Sequence, residues 1–151
     1  MNKFHYITIY LVLLFGCGYA FGGMLMPIVE VYDGDTIKTY MPLHEKLSKT
    51  SIRIYGIDTP ERAAKSYPTT GKLGRAKCRK EADMALVAKA VIDDIAKGSS
   101  YMVVEPIKWG KFGGRIVGKV TINGVDIADE LIQMKLAVPY FGKRKTKDWC
   151  K

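Results

Sequence analysis

Three short runs hold most of the side chains able to do chemistry: Asp33-Gly34-Asp35-Thr36, Arg53-Ile54-Tyr55-Gly56-Ile57-Asp58-Thr59-Pro60-Glu61, and Lys111-Phe112-Gly113-Gly114-Arg115. Asp35, Asp58 and the carbonyl of Thr59 are oxygen donors, which suit Ca2+ or Mg2+ and not a soft metal. The histidines are His5 and His44 alone, and there is no Cys-x-x-Cys, so the chain carries no zinc pattern. Arg53 and Arg115 offer guanidinium forks that match phosphate oxygens bidentately. Glu61, restrained by Pro60, can accept a proton from an attacking water or position that water. A hard cation, two guanidiniums and a carboxylate are the equipment for hydrolysing a phosphodiester.

Each of these residues also has a plainer reading. Asp33 reads as a turn residue with an outer-shell metal role as its alternative, and Asp35 as the other half of the same turn. Arg53 can pair with Asp58 or Glu61 as a structural salt bridge, and Thr59-Pro60 can simply end a strand. The charge balance favours the chemical reading: 24 Lys and Arg against 15 Asp and Glu give a net charge of +9, which draws a polyanion to the surface.

The elements that must position these residues follow from periodicity. Ile28 to Tyr32 and Thr36 to Tyr40 are β-favouring runs on either side of Asp33-Gly34-Asp35, a dipeptide pattern that predicts a tight hairpin with positive φ at the glycine. A polar loop, Met41 to Thr50, leads to a third strand, Ser51 to Ile57, and Pro60 holds Thr59 extended. The stretch from Arg62 to Gly74 is loop-like. Helical spacing then runs from about Arg79 to Lys97, with Met84, Val87, Ala88, Val91 and Ile95 on one face, and Gly98 stops it. Tyr101 to Glu105 and Arg115 to Ile122 read as strands, Asn123-Gly124 as a turn. Asp126 is placed to cap a second helix with Ile127, Leu131 and Met134 on its inner face. Its 151 residues and 48% apolar content suit one domain. The expected fold is mixed α+β, mainly β: a five-stranded OB-fold-like barrel with two covering helices.

In these motifs, their order and their spacing, the chain resembles the thermonuclease (staphylococcal nuclease-like) family from about Val31 to Val138. The resemblance implies an OB-barrel nuclease that uses Ca2+ to cut DNA and RNA with little sequence preference, leaving 3′-phosphates. It implies Asp35, Asp58 and Thr59 as metal ligands and Arg53, Glu61 and Arg115 as catalytic residues. Lys111, Phe112, Tyr140 and Phe141 fall where the family meets nucleic acid. There are departures. Gly113-Gly114 is one glycine longer than the usual turn, Phe112 stands where a tyrosine commonly bonds phosphate, and Tyr140-Phe141 is slightly displaced. The chain ends soon afterwards, so the family's third helix is expected to be absent or vestigial. The nuclease domain is expected over 27–141, with a short basic tail over 142–151. A monomer with a DNA or RNA substrate and no obligate protein partner is expected; a non-catalytic nucleic-acid-binding barrel is the chief rival, and an envelope-anchored structural protein a third class.

The N-terminus reads as an export signal over 1–22, with Lys3 ahead of an apolar run from Ile7 to Phe15 and small residues behind it. Retention as a membrane anchor and lipidation at Cys17 are the alternatives; all three place the domain in the periplasm or outside the cell. Removing the signal leaves Cys78 and Cys150, an even number in an oxidising space, to pair or to remain free thiols.

Overall fold

The computed structural model describes residues 22–43, 45–67, 69–110 and 114–151. The expected signal up to residue 21, with His5 and Cys17, and also His44, Lys111, Phe112 and Gly113, lie outside the described residues. Among the described residues no helix is long and apolar enough to cross a membrane.

The order is β1 (Met24–Pro27), β2 (Glu30–Asp33), β3 (Thr36–Leu43), β4 (Lys46–Ile54), β5 (Ile57–Asp58), α1 (Arg79–Ile95), β6 (Tyr101–Trp109), β7 (Arg115–Ile122), β8 (Val125–Asp126), α2 (Ile127–Gln133) and β9 (Val138–Pro139). The main sheet runs β1-β6-β7-β4-β3-β2, with β8 on β7. Its pairs are antiparallel except β4 with β7, which lie parallel. One stretch of chain joins the two edges of this sheet. β1 pairs with β6 and β2 with β3, and between them Ile28 N–H donates to Ser100 O at 2.9 Å while Val29 N–H donates to Lys38 O at 2.9 Å. The buried Thr39 hydroxyl adds a bond to Pro27 O at 2.7 Å. The sheet therefore curls on itself, and the fold is mainly β, α+β and OB-fold-like.

The five expected strands survive as the frame of this curl, with corrections. The strand expected from Ile28 to Tyr32 starts only at Glu30, and a further strand that was not expected, β1, precedes it, because the chain changes partner from β6 to β3 at residues 28–29. The expected loop over Met41 to Thr50 is mostly strand. β3 and β4 pair from Thr36↔Arg53 out to Leu43↔Lys46, each supplying the backbone partners that the polar side chains could not announce. The third strand ends at Ile54, and the turn Tyr55-Gly56, with Gly56 at φ +84°, separates it from β5.

The core alternates along these strands. Ile37, Ile52 and Ile54 point inward from β3 and β4, and Met102, Val104, Val120 and Ile122 from β6 and β7, all fully buried and each contributing roughly 1.5–3 kcal/mol. Ala88 and Ile92 of α1, with Ile127 and Leu131 of α2, join the same core. Of the expected stripe on α1, Ala88 is buried and Met84, Val91 and Ile95 pack against the core, whereas Val87 is exposed; Ala82, Ala85 and Ile92 are buried as well. Small residues win this face because they let the helix approach the turn between β2 and β3. In α2, Asp126 caps as expected, accepting from Ala128 N–H at 2.9 Å and Asp129 N–H at 3.1 Å. Met134, at the C-cap, is exposed and not part of the inner face.

No third helix follows β9 among the described residues. The tail instead runs back to α1, where a Cys78–Cys150 disulfide closes 72 residues with Cα atoms 6.0 Å apart. Trp149 is buried beside it, and Lys80 Nζ contacts the Lys151 carbonyl.

Candidate active site

The turn at Asp33–Asp35 is one wall of the site. Ile54 N–H donates to Asp35 O at 2.8 Å, tying the turn to the end of β4, and Asp35 N–H reaches Asp33 Oδ1 at 3.3 Å. The expectation for Gly34 needs correcting: it is not among the positive-φ residues. Glycine is favoured there by close approach, since a Cβ would stand 3.0 Å from Ala88 Cβ and 3.0 Å from both Thr59 Cβ and Oγ1, and those neighbours would have to give way. That contact packs α1, the turn and the Thr59 loop around one point.

Asp35 is thereby pressed against its neighbours. Its Oδ2 accepts from Thr59 Oγ1 and its Oδ1 from Thr36 Oγ1, each at 3.0 Å. The β3–β4 register sets Arg53 opposite Thr36, so its guanidinium ion-pairs with Asp35 Oδ1, lies 3.7 Å from Asp58 Oδ1 and donates to Ile57 O at 3.3 Å. The ion-pair reading of Arg53 thus holds for Asp58, together with a pair to Asp35 that the spacing did not reveal. β5 fixes Asp58 by pairing with β9, Asp58 opposite Val138. Asp35, Asp58 and Thr59 are all buried. Glu61 follows on the rim, its N–H donating to Glu81 Oε1 at 3.3 Å. Arg115 opens β7 opposite Ser51, and Gly114 before it takes φ +78° with its carbonyl bonded by Ser51 N–H at 3.2 Å.

Asp35, Arg53, Thr59, Glu61, Arg115 and Tyr140, among others, line a cleft of about 320 Å3; Asp58 is buried and reaches this group through Arg53 and Lys145, not by lining the cleft itself. The Tyr140 hydroxyl donates to Lys143 O at 2.7 Å. Phe141 lies apart from this cleft, exposed and edge-on to Tyr55 with centroids 5.8 Å apart, beside a smaller hollow of about 130 Å3 that Arg53 and Tyr140 also border.

Three further residues escaped the sequence reading. Arg75 bridges Asp33 Oδ2 at 3.2 Å and Glu61 Oε2 at 3.3 Å. Glu81 is a buried carboxylate in the first turn of α1 that accepts from Lys77 N–H at 2.7 Å as well as from Glu61; its position three residues after the cap Cys78 is a capping-box spacing that could have flagged it. Lys145 reaches in from the tail to Asp58 Oδ1 at 2.6 Å and Glu61 Oε1 at 2.8 Å. No signal beyond a basic tail pointed to it.

The charges shift one another. Burial, and then the Asp35 charge, push the Asp33 carboxyl up to about 6. For Glu61 burial raises the value, but Lys145, Arg75 and Arg53 together outweigh it and hold the carboxyl below its ordinary range. Lys145 is lowered by burial and raised more strongly by Asp58 and Glu61, so its ammonium form is favoured.

The described residues contain no group of three or more His, Cys, Asp or Glu side chains placed to hold a metal. Two carboxylates and a carbonyl are nevertheless an all-oxygen donor set. Asp58 Oδ1 is buried and receives no hydrogen bond of good geometry, its partners being the charges of Lys145 and Arg53. An oxygen attended only by positive charge fits a hard cation such as calcium.

Residues 51–149 match the family described as staphylococcal nuclease homologue. That stretch contains Arg53, Asp58, Thr59, Glu61, Arg115, Tyr140 and Lys145, and begins beyond Asp35. No curated protein matches the chain.

Proposed function

Because this chain belongs to the staphylococcal nuclease homologue family, we propose that it is a calcium-dependent nuclease, hydrolysing phosphodiester bonds of DNA and also RNA with little sequence preference. The observation that carries this reading is the convergence of two buried carboxylates, Asp35 and Asp58, on one guanidinium, with Glu61 and Arg115 on the same cleft. Asp35, Asp58 and the Thr59 carbonyl would hold the ion. When bound, it supplies neutralisation of charge on the scissile phosphate.

The chain's own residues do the rest. Arg53 and Arg115 approach the cleft from β4 and from the start of β7, so a phosphate between them can be gripped from two sides as negative charge builds. Each contact is worth roughly 3 kcal/mol in the transition state, on the scale of losing one donor at an anion-stabilising site. Arg53 has to turn at least part of its fork from Asp35 to the phosphate for this. Glu61, kept ionised by its cationic neighbours, orients the attacking water or takes its proton. Tyr140 borders the cleft and Phe141 the adjoining hollow, so both are offered as contacts to the nucleotide, by stacking in the case of Phe141. Lys111 and Phe112 are assigned the same role from sequence alone.

The domain works as a monomer outside the cytoplasm, brought there by the apolar N-terminal run. Plasmid DNA incubated with the purified protein in calcium, and in excess chelator, tests the activity. Cleavage in calcium alone is the expected result; retention of DNA on the protein without cleavage in either buffer would favour the non-catalytic barrel. Sequencing the N-terminus of the exported protein tests the processing.

A further inference from the structure

The least expected occupant of the cleft is an ammonium group. Lys145 Nζ sits 2.6 Å from Asp58 Oδ1 and 2.8 Å from Glu61 Oε1, bridging a carboxylate assigned to the ion and the carboxylate assigned to the water. Asp58 Oδ1 has no well-directed hydrogen bond, so the ammonium acts on it as a charge. Two anchors deliver it. On one side Tyr140 N–H bonds Gly56 O at 2.8 Å and the Tyr140 hydroxyl bonds Lys143 O; on the other Trp149 is buried and Cys150 is bonded to Cys78. Between them residues 141–148 are exposed and have no helix or strand, so the segment carrying Lys145 can leave without disturbing the core.

We propose that Lys145 is a tethered cation that competes with the divalent ion for Asp58 and Glu61, so that calcium must displace it to arm the site. The inference rests on the nuclease reading and adds a regulation to it. A single positive charge and a divalent ion cannot both lie against the same buried oxygen without strong repulsion. A group held at both ends of a short loop also has an effective concentration in the millimolar range. The apparent affinity for calcium is then the intrinsic affinity reduced by the fraction of molecules with Lys145 withdrawn. The disulfide enters through the second anchor: opening it lowers the effective concentration of the ammonium and eases the ion's entry.

The test uses the exported protein, with its disulfide intact in every form except C150S. Calcium titration by calorimetry should show K145Q binding the ion about tenfold more tightly than the parent, the scale of ordinary coupling between sites. K145R should stay close to the parent. C150S should shift affinity in the same direction by less, and should add nothing in the K145Q background. Thermal melting supplies a readout free of activity. K145Q should melt lower than the parent in chelator, where it loses both ion pairs, and level with it in saturating calcium, where the ammonium has already been displaced. Equal or weaker calcium binding by K145Q overturns the inference, as does an equal drop in melting temperature with and without calcium, either of which would make Lys145 part of the loaded site. Calcium that binds neither protein sinks the calcium reading itself and this inference with it.

Discussion

Two segments border the cleft, and they are held in different ways. The Asp33–Asp35 turn is buried, bonded to the end of β4 and wedged by Gly34 against Ala88 and Thr59. The tail, which also borders the cleft, is exposed along 141–148, anchored at its two ends, and held between them by the ion pairs of Lys145. The difference teaches a division of labour. A carboxylate that must meet a cation in one geometry is built on backbone and close packing, whereas a cation that has to yield is carried on a loop.

The sharpest way to break the fixed side is Asp35→Ala or Asp58→Ala. Either should abolish calcium-dependent cleavage while the circular dichroism spectrum stays near that of the parent; undiminished activity in either would end the metal-ligand assignment. Arg53→Ala, Glu61→Ala and Arg115→Ala should each lower kcat at least ~100-fold, the size of losing a charge-stabilising donor or a base, with smaller changes in KM. Near-normal kcat for Arg115→Ala would mean that another cation serves in its place.

On the side of the tail, reducing the disulfide or replacing Cys150 with Ser should cost about 4 kcal/mol by the chain-entropy argument for a loop of this length, read as a fall in the denaturation midpoint. Cleavage at saturating calcium should change far less, because the bridge touches no metal ligand. A large loss of kcat with intact stability would show that the tail shapes the loaded site. Returning to the fixed side, Gly34→Ala should destabilise by roughly 1–3 kcal/mol through overpacking, and should lower activity as Thr59 and Asp35 are pushed apart. Full activity in that variant would show that the turn has slack. The smallest effect belongs to Lys143→Gln with Lys147→Gln. If both meet phosphate, the slope of log affinity against log salt should fall by about 2; an unchanged slope places the tail off the nucleic-acid path.

How much of this was legible in the chain follows the same contrast. Asp35, Arg53, Asp58, Thr59, Glu61 and Arg115 could be picked out because they sit in short runs whose residue types already specify a chemistry, and the register Thr36↔Arg53 then delivers the guanidinium to the carboxylate. Five strands and two helices followed from periodicity. What could not be read was set by partners distant in sequence. The β3–β4 arm takes its strand character from its own pairing, α1 lays Ala88 against Gly34, and Lys145 reaches Glu61 on a segment held at one end by Tyr140 and at the other by a disulfide. The Asp-Gly pair in the first turn showed the limit of local rules. The dipeptide predicts positive φ at its glycine, whereas Gly34 serves there by its lack of a side chain.

The stretch that joins the two sheet edges sets a boundary on how the N-terminus can be trimmed. β1 begins at Met24 and covers β6 through the pairs Met24↔Val104 to Pro27↔Tyr101. Cutting even a few residues beyond Met24 would strip that cover and leave β6, whose exposed face already carries Tyr101, Val103, Ile107 and Trp109, with a bare row of amide groups. Such an edge is a template for a strand from another molecule. The first residues of the folded chain thus guard a sheet edge that lends no side chain to the cleft.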